Sequence, residues 1–265
     1  MGLYRDQGIV LRTIRLGESD RIISLLTAGR GKVRAVAKGV RKTRSRFGSR
    51  LEPLAHVSLL MYEGRELDIV TQAESIEHFR PVRENLDRLA KASSLLEAAD
   101  QLAQERHANH RLYTMLLGAL RALAQRDSPL LVPAFFLKLV SLEGFHPVVD
   151  QCALCGREEP GRWAADTEAQ VRPVPPAKGA GQRCRVAFDI ASGGILCPRC
   201  AGRGVRTLGV EGLGLIRQIL GGDLNAALAT APGRATDEVA VLAIAALEHH
   251  LERRLRSVGV TALGR

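Results

Sequence analysis

The sequence predicts an α+β protein: an N-terminal five-stranded β-barrel followed by a mainly helical domain that carries an inserted four-cysteine module. Three observations predict it. Apolar residues alternate with polar ones as far as residue 79, then recur at helical spacing from Pro81 onward. Five short strand-like runs, separated by turn residues, fit within those first 79 positions. Two Cys-x-x-Cys pairs, Cys152/Cys155 and Cys197/Cys200, interrupt the helical pattern.

Each element follows from its residues. Gly8 to Ile14 reads as the first strand, with a turn at Gly17-Glu18-Ser19-Asp20. Ile22 to Thr27 is the second, closed by Ala28-Gly29-Arg30-Gly31. Lys32 to Gly39 is the third, with Val33, Ala35 and Ala37 on one face and Lys32, Arg34, Val36 and Lys38 on the other. A basic loop, Arg41 to Gly48, leads to the fourth strand, Leu54 to Tyr62, and a Glu63-Gly64-Arg65 turn to the fifth, Leu67 to Ala73. Five strands joined by turns fit an OB-type barrel, a fold that binds oligonucleotides. The expected organisation is this barrel over 1–79 and a helical domain over 80–265, with the cysteine module at about 150–205.

In the helical part, Leu86, Leu89, Leu96, Ala99 and Leu102 form one stripe and Leu112, Leu116, Leu120 and Leu123 a second. Ser128-Pro129 is expected to cap a third helix ending near Gly144. Residues 171–182, VRPVPPAKGAGQ, read as a flexible insertion between the cysteine pairs. Helix returns near Gly209. A last helix, capped at Thr236-Asp237-Glu238, is expected to put Val239, Leu242, Leu247, Leu251, Leu255 and Val258 inward and to stop at Gly259.

Composition excludes several classes. Hydrophobic residues are 46% and charged residues 25%, too apolar for disorder. The longest apolar run, Val239 to Leu247, has nine residues, against about 20 for a membrane span. The start, MGLYRDQG, is charged where a signal peptide is apolar, so a cytoplasmic protein with no membrane partner is expected.

Charge is concentrated. The chain has 38 Lys+Arg against 28 Asp+Glu, for a net charge of +10. Between Arg21 and Leu51 lie ten cations and no acid, so the remaining 28 cations and 28 acids cancel. An arginine-rich composition accounts for some basic character, but not for its focus on one segment. Such a field suits a polyanion, nucleic acid first. Lys32, Arg34, Lys38, Arg41, Lys42, Arg44, Arg46 and Arg50 are the expected DNA contacts. Phe47 has two readings, a stacking platform for a base or an anchor tucked into the barrel.

Cys152, Cys155, Cys197 and Cys200 are the expected metal ligands. Each Cys-x-x-Cys offers two corners of a tetrahedron, and four thiolates suit one structural Zn²⁺ per chain. Four ordinary thiols or a redox pair are the alternatives. The gap between pairs is 41 residues, which the Pro/Gly-rich insertion explains, and Cys184 is left over as a plain thiol. No phosphate-binding Gly-x-x-x-x-Gly-Lys-Ser/Thr, no His-Glu-x-x-His and no Gly-x-Ser-x-Gly occurs, so no catalytic residues are expected and the chain reads as a non-enzyme.

The run SDRIISLLTAGRGKVRAVAKGVRKTRSRFGSRLEP, with Gly31-Lys32-Val33, Ala37-Lys38-Gly39 and Leu51-Glu52-Pro53, resembles the N-terminal signature of the RecO family of bacterial recombination mediators. The order of barrel, helices, two cysteine pairs and final helix extends the resemblance over nearly the whole chain. The resemblance implies binding of single- and double-stranded DNA and annealing of complementary strands. It also implies contacts with RecR and single-strand binding protein, so that RecA loads at gaps in recombinational repair, in a nucleoid-associated protein. A zinc-stabilised RNA-binding factor in translation or ribosome assembly is the alternative, since it would share both barrel and zinc.

Overall fold

The computed structural model describes residues 2–42, 45, 47–158, 185–202 and 204–257. Five strands, β1 (Leu3–Leu16), β2 (Asp20–Thr27), β3 (Gly31–Ala37), β4 (His56–Tyr62) and β5 (Asp68–Glu77), close into a barrel in the order β1-β2-β3-β5-β4. Alternation decides which face is inside. Val33, Ala35 and Ala37 of β3 meet Ile23 and Leu25 of β2, Val57, Leu59 and Met61 of β4 and Val70 of β5 in one core. β1 begins five residues before the expected start at Gly8, because Leu3 to Gln7 pair with Tyr62 to Ser58. That stretch carries Arg5, Asp6 and Gln7, so it lacks the apolar signature of a strand.

Helices α1 (Arg80–Arg83), α2 (Leu86–Leu102) and α3 (His110–Gln125) follow. Asn85 and Asn109 cap α2 and α3, their side chains accepting from the N–H groups of Arg88 and Leu112 at 2.9 and 3.0 Å. Residues up to Asp127, with Leu255–Ser257, form one compact unit, and Ser128–Arg254 form the second. In the first unit α2 lies against β1 and β2. Glu97 of α2 receives the N–H groups of Arg256 and Ser257 at 2.9 and 2.8 Å.

The second unit is built around α4 (Leu131–Leu142), whose apolar surface is buried nearly all round. It packs on α5 (Val210–Gly221) and α7 (Arg234–Leu251), with α6 (Leu224–Leu228) between them in sequence. Ser128 turns the chain ahead of α4, its hydroxyl accepting from the Leu130 N–H at 3.3 Å, so the helix starts at Leu131. α7 starts at Arg234, with the Thr236 hydroxyl capping it by accepting from the Gly233 N–H at 2.9 Å. It ends at Leu251, eight residues before the expected Gly259, because Glu252 adopts the left-handed conformation (φ 51). Leu255 is still buried, but from the segment beyond the helix. Val258 and Gly259 lie outside the described residues.

Three strands were not expected from the sequence: β6 (Arg185–Asp189), β7 (Gly194–Leu196) and β8 (Arg206–Gly209), which pair in the order β7-β6-β8. At three to five residues each, they are too short to display alternation. Among the described residues no helix is long and apolar enough to cross a membrane.

Candidate metal centre and nucleic-acid interface

Backbone pairing brings the two cysteine pairs together. Val148 pairs with the β6–β7 hairpin: its N–H donates to the Gly193 carbonyl, and the Ile195 N–H of β7 donates to the Val148 carbonyl, both at 2.9 Å. Ala153 donates to Ile195 at 2.8 Å, which carries the first pair alongside β7. Gly194 is required at this crossing, since a Cβ there would lie 2.4 Å from the Val148 carbonyl oxygen. Arg217 of α5 donates to the Val149 carbonyl at 2.7 Å and holds the same segment from the other side.

Each cysteine pair is a tight turn. Gly156 N–H bonds the Cys152 carbonyl at 2.9 Å, and Ala201 N–H bonds the Cys197 carbonyl at 2.9 Å. The four sulfurs of Cys152, Cys155, Cys197 and Cys200 lie within 4.8 Å of one another, with Cys155 Sγ 3.7 Å from Cys197 Sγ. A tetrahedron with metal–sulfur arms of ~2.3 Å has edges of about 3.8 Å, so this donor set fits one metal ion. Cys152 and Cys197 are buried and Cys155 is exposed.

The electrostatics agree with that chemistry. Burial pushes the Cys152 thiol up, but the N–H groups of Cys197, Cys155 and Leu154 outweigh it and bring it down to about 6. Cys200 is pushed up to about 12, first by its hydrogen bonds to Cys197 and Cys155. Four crowded sulfurs cannot all ionise unaided. A bound dication removes that conflict and displaces their protons. Cys184 lies outside the described residues.

The basic segment divides into two groups. In the first, the strand cations are engaged by acids of the same unit. Lys32 Nζ lies 2.8 Å from Asp100 Oδ1 and donates to the Asp100 carbonyl at 2.6 Å, and Arg12 Nε lies 2.7 Å from Asp100 Oδ2. Arg34 stands 3.8 Å from Glu105, Arg21 2.6 Å from Glu52, and Arg30 3.2 Å from Glu63 with its guanidinium over the Tyr4 ring. Ser24 and Leu26 point outward from β2 yet are buried where α2 lies against the barrel. The side chain of Lys32 is only 13% exposed.

The second group gathers at one end of the barrel. Lys38, Arg41, Lys42 and Arg50 are exposed there or on the connection that follows. Asp20 pins this end. Its Oδ1 accepts from the Gly39 N–H at 2.7 Å and from the Ser19 hydroxyl at 3.0 Å. Those hydrogen bonds, the Gly39 one first, hold the Asp20 carboxyl below its usual range, with help from Lys38 and Lys42. Arg41 donates its N–H to the Ser19 carbonyl and its guanidinium to the Glu18 carbonyl, each at 2.9 Å. These bonds fix the entry of the basic loop against the β1–β2 turn. Arg44 and Arg46 lie outside the described residues.

Phe47 takes the second of its two readings. It is 1% exposed and sits in the barrel core with Leu51, closing the return of the loop. Buried there, its ring offers no face to a base.

Comparison with known proteins agrees with this arrangement. A family model described as "Recombination protein O N terminal" matches residues 1–79, and one described as "Recombination protein O C terminal" matches residues 83–258. A curated relative named DNA repair protein RecO, from Frankia casuarinae, is 39% identical over 262 residues, covering 97% of this chain and 98% of its own length. With both halves matched in order around one barrel and one four-cysteine centre, the chain belongs to the RecO family of DNA repair proteins.

Proposed function

We propose that this protein binds single- and double-stranded DNA through the basic end of its barrel and anneals complementary strands. It does so without nucleotide hydrolysis. With RecR, it helps RecA load onto DNA covered by single-strand binding protein. The observation that carries the reading is the group of exposed cations Lys38, Arg41 and Lys42 at a rigid barrel end, in a chain matched along its length by DNA repair relatives. Neutralising phosphates on two strands lowers their mutual repulsion, which is the main barrier to bringing them together. No bond is made or broken, so annealing needs no catalytic group. A metal ion held by the four cysteines, zinc by its match to an all-thiolate site, cross-links the segment before β6 to the turn after β7 and stabilises that module. The test is annealing of complementary strands coated with single-strand binding protein, without ATP. Annealing that needs hydrolysable nucleotide, or binding that prefers RNA over DNA of the same sequence, would overturn the reading.

A further inference from the structure

The four-sulfur centre is unevenly shielded. Cys152 and Cys197 are buried, Cys200 is half-buried and Cys155 is exposed. The buried side is closed by the chain itself: the Cys197 N–H donates to Cys152 Sγ at 3.4 Å, and the buried Ile195 and Leu196 lead into Cys197. On the open side Leu154, beside Cys155, is 60% exposed. A solute arriving from water therefore meets one corner of the cluster first.

That corner has a neighbour in the other turn. Cys155 Sγ lies 3.7 Å from Cys197 Sγ. A disulfide needs about 2.05 Å, so the two sulfurs have to close by roughly 1.6 Å. The first turn can supply this movement, because Gly156 follows Cys155 in the left-handed conformation (φ 69) with open space where a Cβ would stand. Zinc does not change its oxidation state, so in such a site the sulfurs are the oxidisable groups. A metal-bound thiol is deprotonated, and the thiolate is the form that attacks peroxides.

We propose that Cys155 is the site at which hydroperoxides oxidise this protein, and that the product is a Cys155–Cys197 disulfide that breaks up the metal site. This rests on the reading of the four cysteines as a zinc centre. In the first step the Cys155 sulfur attacks one peroxide oxygen, the O–O bond breaks, Cys155 becomes a sulfenic acid and hydroxide leaves. In the second the Cys197 sulfur attacks the Cys155 sulfur, the S–S bond forms, the S–O bond breaks and a second hydroxide leaves. The two sulfurs give up two electrons, and the peroxide, with two protons from solvent, leaves as two waters. Cys152 and Cys200 then remain, too few donors for a closed tetrahedral site. The disulfide keeps the two turns joined, and a dithiol with added zinc reverses the change by exchange.

The experiment treats the zinc-loaded full chain with hydrogen peroxide beside a chromogenic zinc chelator, then alkylates and digests it with trypsin. Cleavage after Lys138, Arg157, Arg185 and Arg199 puts Cys152 and Cys155 in fragment 139–157, Cys197 in fragment 186–199 and Cys200 at the start of the next. About one zinc per chain should be released, with the first two fragments joined through Cys155 and Cys197. Cys155→His keeps a fourth zinc donor without an oxidisable sulfur, and should slow release roughly tenfold or more. Cys200→His keeps both reacting sulfurs and should release zinc at the parent rate. Release from Cys155→His as fast as from the parent, or a first disulfide that joins Cys152 to Cys200 or involves Cys184, would overturn the assignment. If Cys155→His holds no zinc, the fragment map of the parent decides alone. A parent that keeps its zinc through peroxide treatment overturns this inference and leaves the zinc reading standing; a parent purified without zinc overturns the zinc reading itself.

Discussion

The two groups of cations predict different responses to the same chemical change, a lysine or arginine replaced by alanine. Each phosphate contact on a single strand contributes about −0.7 to the slope of log affinity against log salt. If about five cations of the barrel end and its loop contact phosphates, the parent slope should be about −3.5. The triple variant Lys38→Ala, Arg41→Ala, Lys42→Ala removes three of them and brings the slope to roughly −1.4. A fourfold rise in salt then weakens the parent about 130-fold and the variant only about sevenfold. Lys32→Ala should act on stability. Lys32 and Asp100 are 13% and 15% exposed, and the substitution leaves Asp100 with Arg12 alone. That costs on the order of 1–3 kcal/mol, the range for leaving a poorly solvated polar group short of a partner. Fluorescence anisotropy titrations with a labelled strand at four salt concentrations give the slopes, and urea unfolding gives the stability. A Lys32→Ala protein that lowers the slope as much as Arg41→Ala does, while unfolding at the parent's urea concentration, would refute this division of the cations.

Three further outcomes follow from the site and the core. Purified protein should carry about one zinc per chain, and Cys197→Ser or a strong chelator should lower the melting temperature before DNA affinity changes; equal melting with and without metal would contradict a structural site. Phe47→Ala should cost about 3–5 kcal/mol in unfolding free energy, as large aromatic truncations in a packed core do, so a stable variant with a specific loss of base binding would place that ring outside the core. His56, buried on β4 with Nε2 2.7 Å from the Tyr113 hydroxyl of α3, has its pKa lowered by burial first and by Arg121 second, against an opposing pull from Glu77. The unfolded chain therefore binds the His56 proton more readily. Stability from this group is complete above pH ~6.5 and falls as pH drops through the folded-state value. Urea midpoints at pH 7.5 and 5.5 should differ less in His56→Gln than in the parent.

Much of this was legible in the sequence because two signals are local. Alternation over β3, and Cys-x-x-Cys spacing, name their own geometry whatever surrounds them. The closed barrel and the four-sulfur cluster follow directly. Signals that depend on a distant partner were hidden. The outward position of Lys32 was readable from Val33 and Ala35, but not that Asp100, 68 residues later, would meet it. Phe47 in a run of arginines could be read as a stacking residue or as a barrel anchor, and closure of the loop onto the barrel core decides for the second. Pro81 marks where the strand period stops, yet period says nothing about α2 folding back against β1 and β2. β6 to β8 went unseen because their pairing, not their composition, makes them strands.

The pairing of strand cations with α2 bears on how a basic barrel can handle DNA. On an open barrel, Arg12, Lys32 and Arg34 would extend the positive field over the outer face of β1, β2 and β3. Here Asp100 is shared between two of them, and Glu105 stands beside the third. The field is thereby confined to the end where Asp20 fixes Gly39, with Lys38, Arg41 and Lys42 projecting from a rigid turn. Confinement has a kinetic consequence. A strand held by a few phosphates at one end, in high dielectric, dissociates and rebinds quickly, as the proposed annealing requires once the duplex has formed. A fully basic barrel face would bind the annealed duplex, with its higher charge density, more tightly than either single strand. Under the proposed annealing activity, neutralisation of that face by Asp100 of α2 and by Glu105 beyond it should keep affinity low enough for turnover.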